Sequence, residues 1–465
     1  MDRLTQDALQ IWQAGVEAVR ADRVLRDSLR WDGKQLDIRG ERIDLSGAKR
    51  LIIVGAGKAA GGMLEGLLSV IKREPIETLG WINVPEGSIP ESLSIATEDQ
   101  GIPTTVSGIR ICEARPQGVN EPTPKVLTGT QEILRYVEQA GPQDAVIFLL
   151  SGGGSALLCA PHPWLSLETK VAITRALSSR GAGIEELNAV RRALSQVKGG
   201  GLARRCRPGR LVTLVISDVL GDPLGMIGSG PTVLEPMPDP MLAARLLQRY
   251  APGEFPEVVS KLLEEGSKEP VKSKPLQTAA SFFVLANNLT AVEAAAKEAE
   301  RLGYRTKSES RTESEGPAEQ VGSELAFGLL TMSSKSAWIT GGEPTVVLPD
   351  ASIRGRGGRN QHLVLSAAST LISDPRLVDF MGSSQAHGES MALVSGGTDG
   401  EDGSTSAAGA WIDTSWLHQQ SKSIEAINEA LRRCDAYGFF ESTGNLLQTG
   451  PTHTNVCDLR VVLRG

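Results

Sequence analysis

The sequence predicts an α/β protein of two domains, each a parallel or mixed sheet flanked by helices. Three observations carry this. Apolar runs of strand length alternate with amphipathic helical patterns, the signature of strand–helix–strand units. Runs such as "AVIFLL" and "LVTLVI" are nearly continuous in apolar residues, as strands buried on both faces are. The chain has 465 residues, more than one core usually holds.

The elements follow in order. Leu4, Ala8, Ile11, Trp12, Gly15 and Val19 repeat at helical spacing with Val16 beside them, so the chain opens with an amphipathic helix whose stripe is thinned by Ala8 and Gly15. "RLIIVGAGKAAGGMLEGLLSVI" reads as strand, glycine turn and helix, and "DAVIFLLSGGGSALL" repeats that plan. "GTQEILRYVEQA" and "LETKVAITRALSSRG" are helical, and "RLVTLVISDVLGDPLGMIGSGPT" is a strand followed by an acidic, glycine-rich loop. The Pro-, Lys- and Glu-rich stretch after Ala251 reads as a crossing between domains. "SFFVLANNLTAVEAAAKEAERLG", "SAWITGGEPTVVL", "GRGGRNQHLVLSAAS" and "MALVSGGTDGEDGSTSAAGAWI" form a second series. The expected domains are 1–255, a Rossmann-like α/β domain, and 278–465, a second α/β domain, joined by 256–277.

Composition narrows the function. Hydrophobic content of 40% and charged content of 22% are those of an ordinary soluble protein. A net charge of −7 argues against nucleic acid or an anionic membrane as the main partner, and 4% aromatics argue against a base-stacking platform. No apolar run reaches the ~18 residues of a membrane span. The N-terminus lacks the apolar core of a signal peptide. Five scattered cysteines without a CxxC pair read as reduced thiols. The expectation is a cytoplasmic protein. The 51 glycines collect after apolar runs, where ligand loops sit at the carboxyl ends of strands.

Five strand ends share this arrangement. In "VGAGKAAGGM", Gly55 and Gly57 make the turn and Lys58 stands at the helix start, where a cation adds to the amide donors for an anion. The alternative is a surface lysine after a tight turn. No acidic residue is read at the end of the next strand, which speaks against NAD. "SGGGS", Ser151, Gly152, Gly153, Gly154 and Ser155, can wrap a phosphate with bare amides, and it is not a P-loop. Lys198 ends a helical pattern, either to complement its dipole or to meet a phosphate. "SDVLGDPLGMIGSG" offers Asp218 and Asp222 for Mg²⁺ or a proton, or as helix caps, and then Gly228, Ser229 and Gly230. "GGEPT" places Glu343 after a strand, and "RGRGGRNQH" supplies Arg354, Arg356 and Arg359, guanidinium groups suited to carboxylate or phosphoryl oxygens, with the Asn360 amide beside them as a further binding group. "SGGTDGEDG" lacks EF-hand spacing. Gly396, Gly397 and Thr398 let backbone approach a ligand there, and Asp399 and Asp402 are candidate Mg²⁺ ligands, the alternative being a polar turn with caps.

Taken together and in order, "GAGKAA", "LLSGGGSALL", "NAVRRALSQVKGGGLA", "SDVLGDPLGMIGSGPT", "GGEPTVVL", "GRGGRNQH", "SGGTDGEDGSTSAAGA" and "STGNLLQTGPTHTNVCDL" resemble the class II glycerate kinases, the glycerate 2-kinase family with a C-terminal MOFRL domain. The resemblance implies ATP-dependent phosphorylation of D-glycerate at its 2-hydroxyl with Mg²⁺, in a site in an interdomain cleft. It puts the active-site lysine on Lys58, the aspartate on Asp218 or Asp222 and the arginine on Arg359, and it leaves room for a homodimer. Many members carry a Gly-His-Pro turn where this chain reads "EARPQGVNEP", so Arg115 or Asn120 would replace that histidine. Two rival readings are an NAD(P)-dependent hydroxypyruvate or 2-hydroxyacid reductase and a non-catalytic sugar-phosphate-binding protein.

Overall fold

The computed structural model describes residues 2–93, 104–119, 121–206, 210–234, 236–268, 279–377, 380 and 390–465. Its contacts divide the chain into two compact units. One comprises Met1–Arg20, Ser217–Gly221 and Ala286–Gly465; the other comprises Ala21–Ile216 and Asp222–Leu285. Thus the opening helix, Arg3–Ala18, belongs with the C-terminal half of the sequence. Within the expected crossing, Pro256–Gly266 is a helix: Pro256 opens it, and Val258 and Leu262, four apart, bury one face. Residues 269–277 of that crossing lie outside the described residues, as do residue 278 and Asn120.

The unit of Ala21–Ile216 and Asp222–Leu285 is built on a seven-stranded sheet. Its strand order is Ala279–Ala286, Arg210–Ile216, Asp144–Ser151, Arg50–Ala56, Glu77–Pro85, Ile109–Arg115 and Thr104–Val106. From Arg210–Ile216 to Ile109–Arg115 each pair is parallel, and only the edge strand Thr104–Val106 is shown to run antiparallel. Apart from the antiparallel edge strand Thr104–Val106, chain order runs outward on both sides of Arg50–Ala56, so the sheet is doubly wound and that strand lies at its switch point. Every residue of Asp144–Ser151 is buried, as its continuous apolar run predicts. Helices Ala60–Ile71 and Pro124–Gln139 pack on the sheet. A separate helical cluster, centred on Ile173, Leu177, Val190 and Leu247, unites helices Leu167–Ser179, Ile184–Ala193, Pro240–Tyr250 and Pro256–Gly266.

The other unit has a mixed six-stranded sheet, ordered Arg305–Ser310, Ser336–Gly342, Asp458–Arg464, Met391–Gly397, Gly409–Asp413 and Leu446–Leu447. The strand Asp458–Arg464 runs antiparallel to both neighbours. Its first residue therefore pairs with the last residue of each, Asp458 with Gly342 and with Gly397. Alternate residues of the sheet face two cores. Leu459, Val461 and Leu463 point to helices Arg3–Ala18 and Asn288–Arg301. Val462, Leu393 and Ile412 point to helices Ala318–Thr331 and Arg359–Ser373. The thin stripe of the opening helix now has a reason. A Cβ on Gly15 would lie 2.4 Å from Leu459 and 2.9 Å from the Ala291 carbonyl, so only glycine allows this approach to the alanine-rich helix. Among the described residues no helix is long and apolar enough to cross a membrane.

Candidate functional site

In the doubly wound unit, three glycine loops at the strand ends interlock. A Cβ on Gly57 would stand 2.1 Å from Ser151 Oγ, and its φ of +144° disfavours any other residue. That closeness lets Ser151 Oγ accept the Ala59 amide at 2.9 Å and the Gly152 carbonyl accept the Lys58 amide at 2.8 Å. Lys58 stands over Gly153 with Arg115: a Cβ there would meet Lys58 Cγ at 3.4 Å and Arg115 Nη2 at 3.3 Å. Arg115, 1% exposed, donates to the Pro116 and Val119 carbonyls, so it lies beside the Lys58 turn as an anchored cation.

The third loop, Gly228–Gly230, is joined to the second by side chains. Ser155 Oγ lies 3.0 Å from Ser229 Oγ, and Ser229 donates to Asn188 Oδ1 at 2.9 Å. Lys198 is fully buried and donates from Nζ to the Ser155 carbonyl at 3.0 Å and the Gly228 carbonyl at 3.2 Å. Burial, with Lys170, Arg191 and Arg192 nearby, pushes its pKa well below that of an ordinary lysine. The structure thus places Lys198 as a pin between two loops. Asp222, with φ +51°, belongs to this unit, whereas Asp218 belongs to the other.

In the second unit, acids gather around one guanidinium. Arg359, at the start of its helix, donates to Asp458 from Nε at 2.7 Å and from Nη2 at 3.0 Å, and to Glu343 from Nη1 at 2.7 Å. Burial opposes the charge on Arg359, but Asp458 and Glu343 outweigh it and hold its pKa well above normal. Burial pushes the Glu343 carboxyl up, Arg359 opposes that, and Asp458 and Asp399 add to it. Asp218 is oriented by Asn455, whose Nδ2 donates to its Oδ2 at 3.2 Å, and the Cys457 thiol donates to the Asp218 carbonyl at 2.9 Å.

Asp402 has the capping duty that the sequence left open as the alternative to a metal ligand. Its Oδ1 accepts the Asn360 amide at 3.0 Å and its Oδ2 the Gln361 amide at 2.8 Å, closing the start of helix Arg359–Ser373. Burial pushes its carboxyl up to about 7 against those two amides. Asn360 is buried, accepting from Ser395 Oγ at 2.6 Å, and Thr398 is buried between the Cys457 carbonyl and the Val456 amide. Gly396 and Gly397 complete the strand pairing with Leu459 and Asp458. Arg356 is exposed, its guanidinium 4.3 Å from the centre of the Tyr437 ring, and Arg354 is exposed and bonded to the Pro349 carbonyl. Among the described residues no three His, Cys, Asp or Glu side chains converge on a metal position. An Mg²⁺ ion would therefore take one or two carboxylates here and the rest of its oxygens from a ligand, as Mg²⁺ ordinarily does.

Sequence reasoning missed Asp458, Asn455 and Asn188. Asp458 and Asn455 lie in "THTNVCDL", where one acid among polar residues gave no chemical signal until pairing put it between two glycine strand ends. Glu86 was missed as well: it directly follows the strand Glu77–Pro85, next in the sheet to the glycine turn of Arg50–Ala56.

A doubly wound sheet with a lysine and three glycine loops at its strand ends, and a second α/β unit with acids around an arginine, define an α/β protein equipped to handle small anions. Residues 7–264 match a family described as a domain of unknown function, DUF4147, and residues 336–458 match the MOFRL family. A glycerate kinase of Rattus norvegicus is 32% identical, covering 99% of this chain and 93% of that protein. An Agrobacterium vitis protein that bears the name hydroxypyruvate reductase is 34% identical over 90% of this chain and 87% of its own. The crystal structure of a glycerate kinase from Thermotoga maritima superposes with a TM-score of 0.75 at 30% identity, covering 99% of both chains. The chain belongs to the glycerate kinase family that carries a MOFRL domain.

Proposed function

We propose that this protein transfers the γ-phosphoryl group of ATP to the 2-hydroxyl of D-glycerate, giving 2-phosphoglycerate and ADP. The observation that carries the reading is the full-length similarity to proteins named glycerate kinase, joined to a glycine-loop cluster with Lys58 and an acid–arginine cluster with Arg359. Phosphoryl transfer needs positioning and charge neutralisation more than covalent chemistry. The amides of Ser151–Ser155 and Gly228–Gly230 would hold anionic oxygens, with Lys198 keeping the two loops in register. Lys58 would neutralise charge on the transferring group or the glycerate carboxylate. Arg359, fixed by Asp458, would do the same from a set orientation. Asp218, oriented by Asn455, would take the hydroxyl proton as the new O–P bond forms and the bond to the β-phosphate oxygen breaks. Mg²⁺ bound through Asp399 and Glu343 would offset nucleotide phosphate charge. Asp402 would act by capping the helix that starts at Arg359.

The test is a coupled assay with D-glycerate, ATP and Mg²⁺, with enolase as the only downstream enzyme. Immediate phosphoenolpyruvate identifies 2-phosphoglycerate as product. ADP without phosphoenolpyruvate refutes the 2-hydroxyl assignment, and no ADP refutes the kinase reading. A second reading, reduction of hydroxypyruvate with NAD(P)H, draws on the name of the Agrobacterium relative and on Glu86, an acid placed as a ribose ligand would be. Nicotinamide oxidation with hydroxypyruvate, absent under the first reading, decides between them.

A further inference from the structure

We propose that Glu315 is a positioning residue for Arg359: by engaging Arg460, it leaves Asp458 to hold the Arg359 guanidinium. The proposal rests on the reading that Arg359 neutralises the transferring group. Asp458 and Arg460 stand two apart on the strand Asp458–Arg464, so both point to one face of the sheet, their Cα atoms about 7 Å apart. Both are buried. Two guanidinium groups therefore meet one short stretch of strand, and each has its own carboxylate. Arg359 donates twice to Asp458. Arg460 donates twice to Glu315, from Nη1 to Oε1 at 2.8 Å and from Nη2 to Oε2 at 2.7 Å. The side chains of this second pair are only 1% and 4% exposed.

The seat of Glu315 explains the second glycine of "GGE". Gly342 pairs directly with Asp458, so a side chain at 342 would lie beside the Asp458 carboxylate. The Glu315 carboxylate fills that place: a Cβ on Gly342 would lie 2.1 Å from its Oε2. Backbone bonds fasten residues 311–318 to the same stretch. The Arg311 amide donates to the Gly341 carbonyl at 2.9 Å, the Thr345 amide to the Gly316 carbonyl at 2.9 Å, and the Ala318 amide to the Thr345 carbonyl at 2.8 Å. Glu315 therefore meets Arg460 from a fixed position. Without Glu315, Arg460 would be a buried guanidinium stripped of its acid. Among the described residues its Nε has no hydrogen-bond partner, and neither has the hydroxyl of its cross-strand neighbour Thr340. Asp458 is the carboxylate on the same face of the same strand. Pairing would draw it toward Arg460 and release two of the three hydrogen bonds that fix Arg359. Arg311 also lies 3.6 Å from Glu315, but it is half-exposed and water can meet its charge. Stability alone does not account for the pair, since apolar residues of similar volume serve a core as well or better.

The test compares the wild type with Glu315→Gln, with Glu315→Gln plus Arg460→Met, and with Arg359→Met, each below its melting transition. Glu315→Gln should lower kcat about 10- to 100-fold, with KM for glycerate changed less. Adding Arg460→Met removes the competing cation and should restore most of the lost kcat. A second readout is independent of turnover. In protein with isotope-labelled arginine, the Arg359 Nε–H resonance is identified by its loss in Arg359→Met. It should move toward the position of free arginine in Glu315→Gln and return in the double variant. If Glu315→Gln does not fold, Glu315→Asp, which draws the carboxylate back by one methylene, carries the test with the same expectations. Wild-type kcat, or an unmoved Arg359 resonance, in the folded Glu315 variant overturns the proposal. So does a loss of kcat that Arg460→Met does not restore, since Glu315 would then act by another route. Full turnover in Arg359→Met overturns the reading beneath the proposal and the proposal with it. Lost turnover there beside wild-type turnover in Glu315→Gln overturns the proposal alone.

Discussion

Asp458→Asn is the sharpest perturbation of the acid–arginine cluster. Asp458 is fully buried and receives two charge-assisted hydrogen bonds from Arg359, at 2.7 and 3.0 Å. Asparagine fits the same space but turns one acceptor into a donor facing another donor. Breaking a fully buried ion pair from one side costs about 3–5 kcal/mol. Arg359 is one-third exposed and keeps Glu343, so the expected loss is smaller, about 2–3 kcal/mol. For units of this size that lowers Tm by about 5–10 °C. If Arg359 neutralises the transition state from the orientation Asp458 imposes, kcat should fall about 10²–10³-fold. KM for glycerate should change less. The assay pairs denaturant melts with steady-state turnover at a temperature where the variant is folded. A variant with wild-type kcat would refute the anchoring role, and an unchanged melt would refute the energetic estimate.

Lys58→Met should lower kcat by about 10²–10³-fold with little change in the melt, because Lys58 is only half-buried; retained turnover removes Lys58 from the mechanism. Gly57→Ala should destabilise by about 1–3 kcal/mol, since its Cβ would press on Ser151 Oγ at 2.1 Å and its φ is positive; a wild-type melt contradicts the interlocked turns. Asp402 gives a pH signature. Its folded-state pKa, about 7, lies above the ordinary 3.8, so its contribution to stability is fully present below pH 3.8 and is lost as pH rises through 7. The shift corresponds to about 4 kcal/mol. Asp402→Asn should erase that part of the slope in denaturant melts between pH 4 and 8, and parallel curves for the two proteins would overturn the assignment.

Much of this was legible in the sequence, because buried parallel strands announce themselves as unbroken apolar runs. Asp144–Ser151 and Arg210–Ile216 were read that way, and the glycine turns after them fell where ligand loops belong. The unit boundaries were less legible. Nothing in "RLTQDALQIWQAGVEA" says which sheet its apolar face covers, and a Pro-rich stretch looked like a crossing because proline also opens helices, as Pro256 does. Individual acids were the hardest. Asp402 and Asp399 stand three apart in one loop, but only hydrogen bonding showed that Asp402 serves a helix start. Asp458 gained meaning only through a register between strands far apart in sequence, which no local pattern encodes.

The placement of the strand Asp458–Arg464 in the middle of its sheet has a consequence for how the protein is made. The indole of Trp12 donates to the Leu459 carbonyl, 447 residues further on. At roughly 5–20 residues per second, a ribosome leaves the opening helix without that partner for roughly 20–90 s. Nearly all of Ala21–Leu285 emerges meanwhile and can close on its own sheet. The opening helix therefore has no cover for Leu4 and Ile11 until Asn288–Arg301 emerges, and Trp12 waits longer still, until the strand Asp458–Arg464 supplies its carbonyl. That window is where chaperones would engage it. A clone lacking the strand Asp458–Arg464 would leave Trp12 without its carbonyl and split the sheet between Ser336–Gly342 and Met391–Gly397, and should be recovered as aggregate.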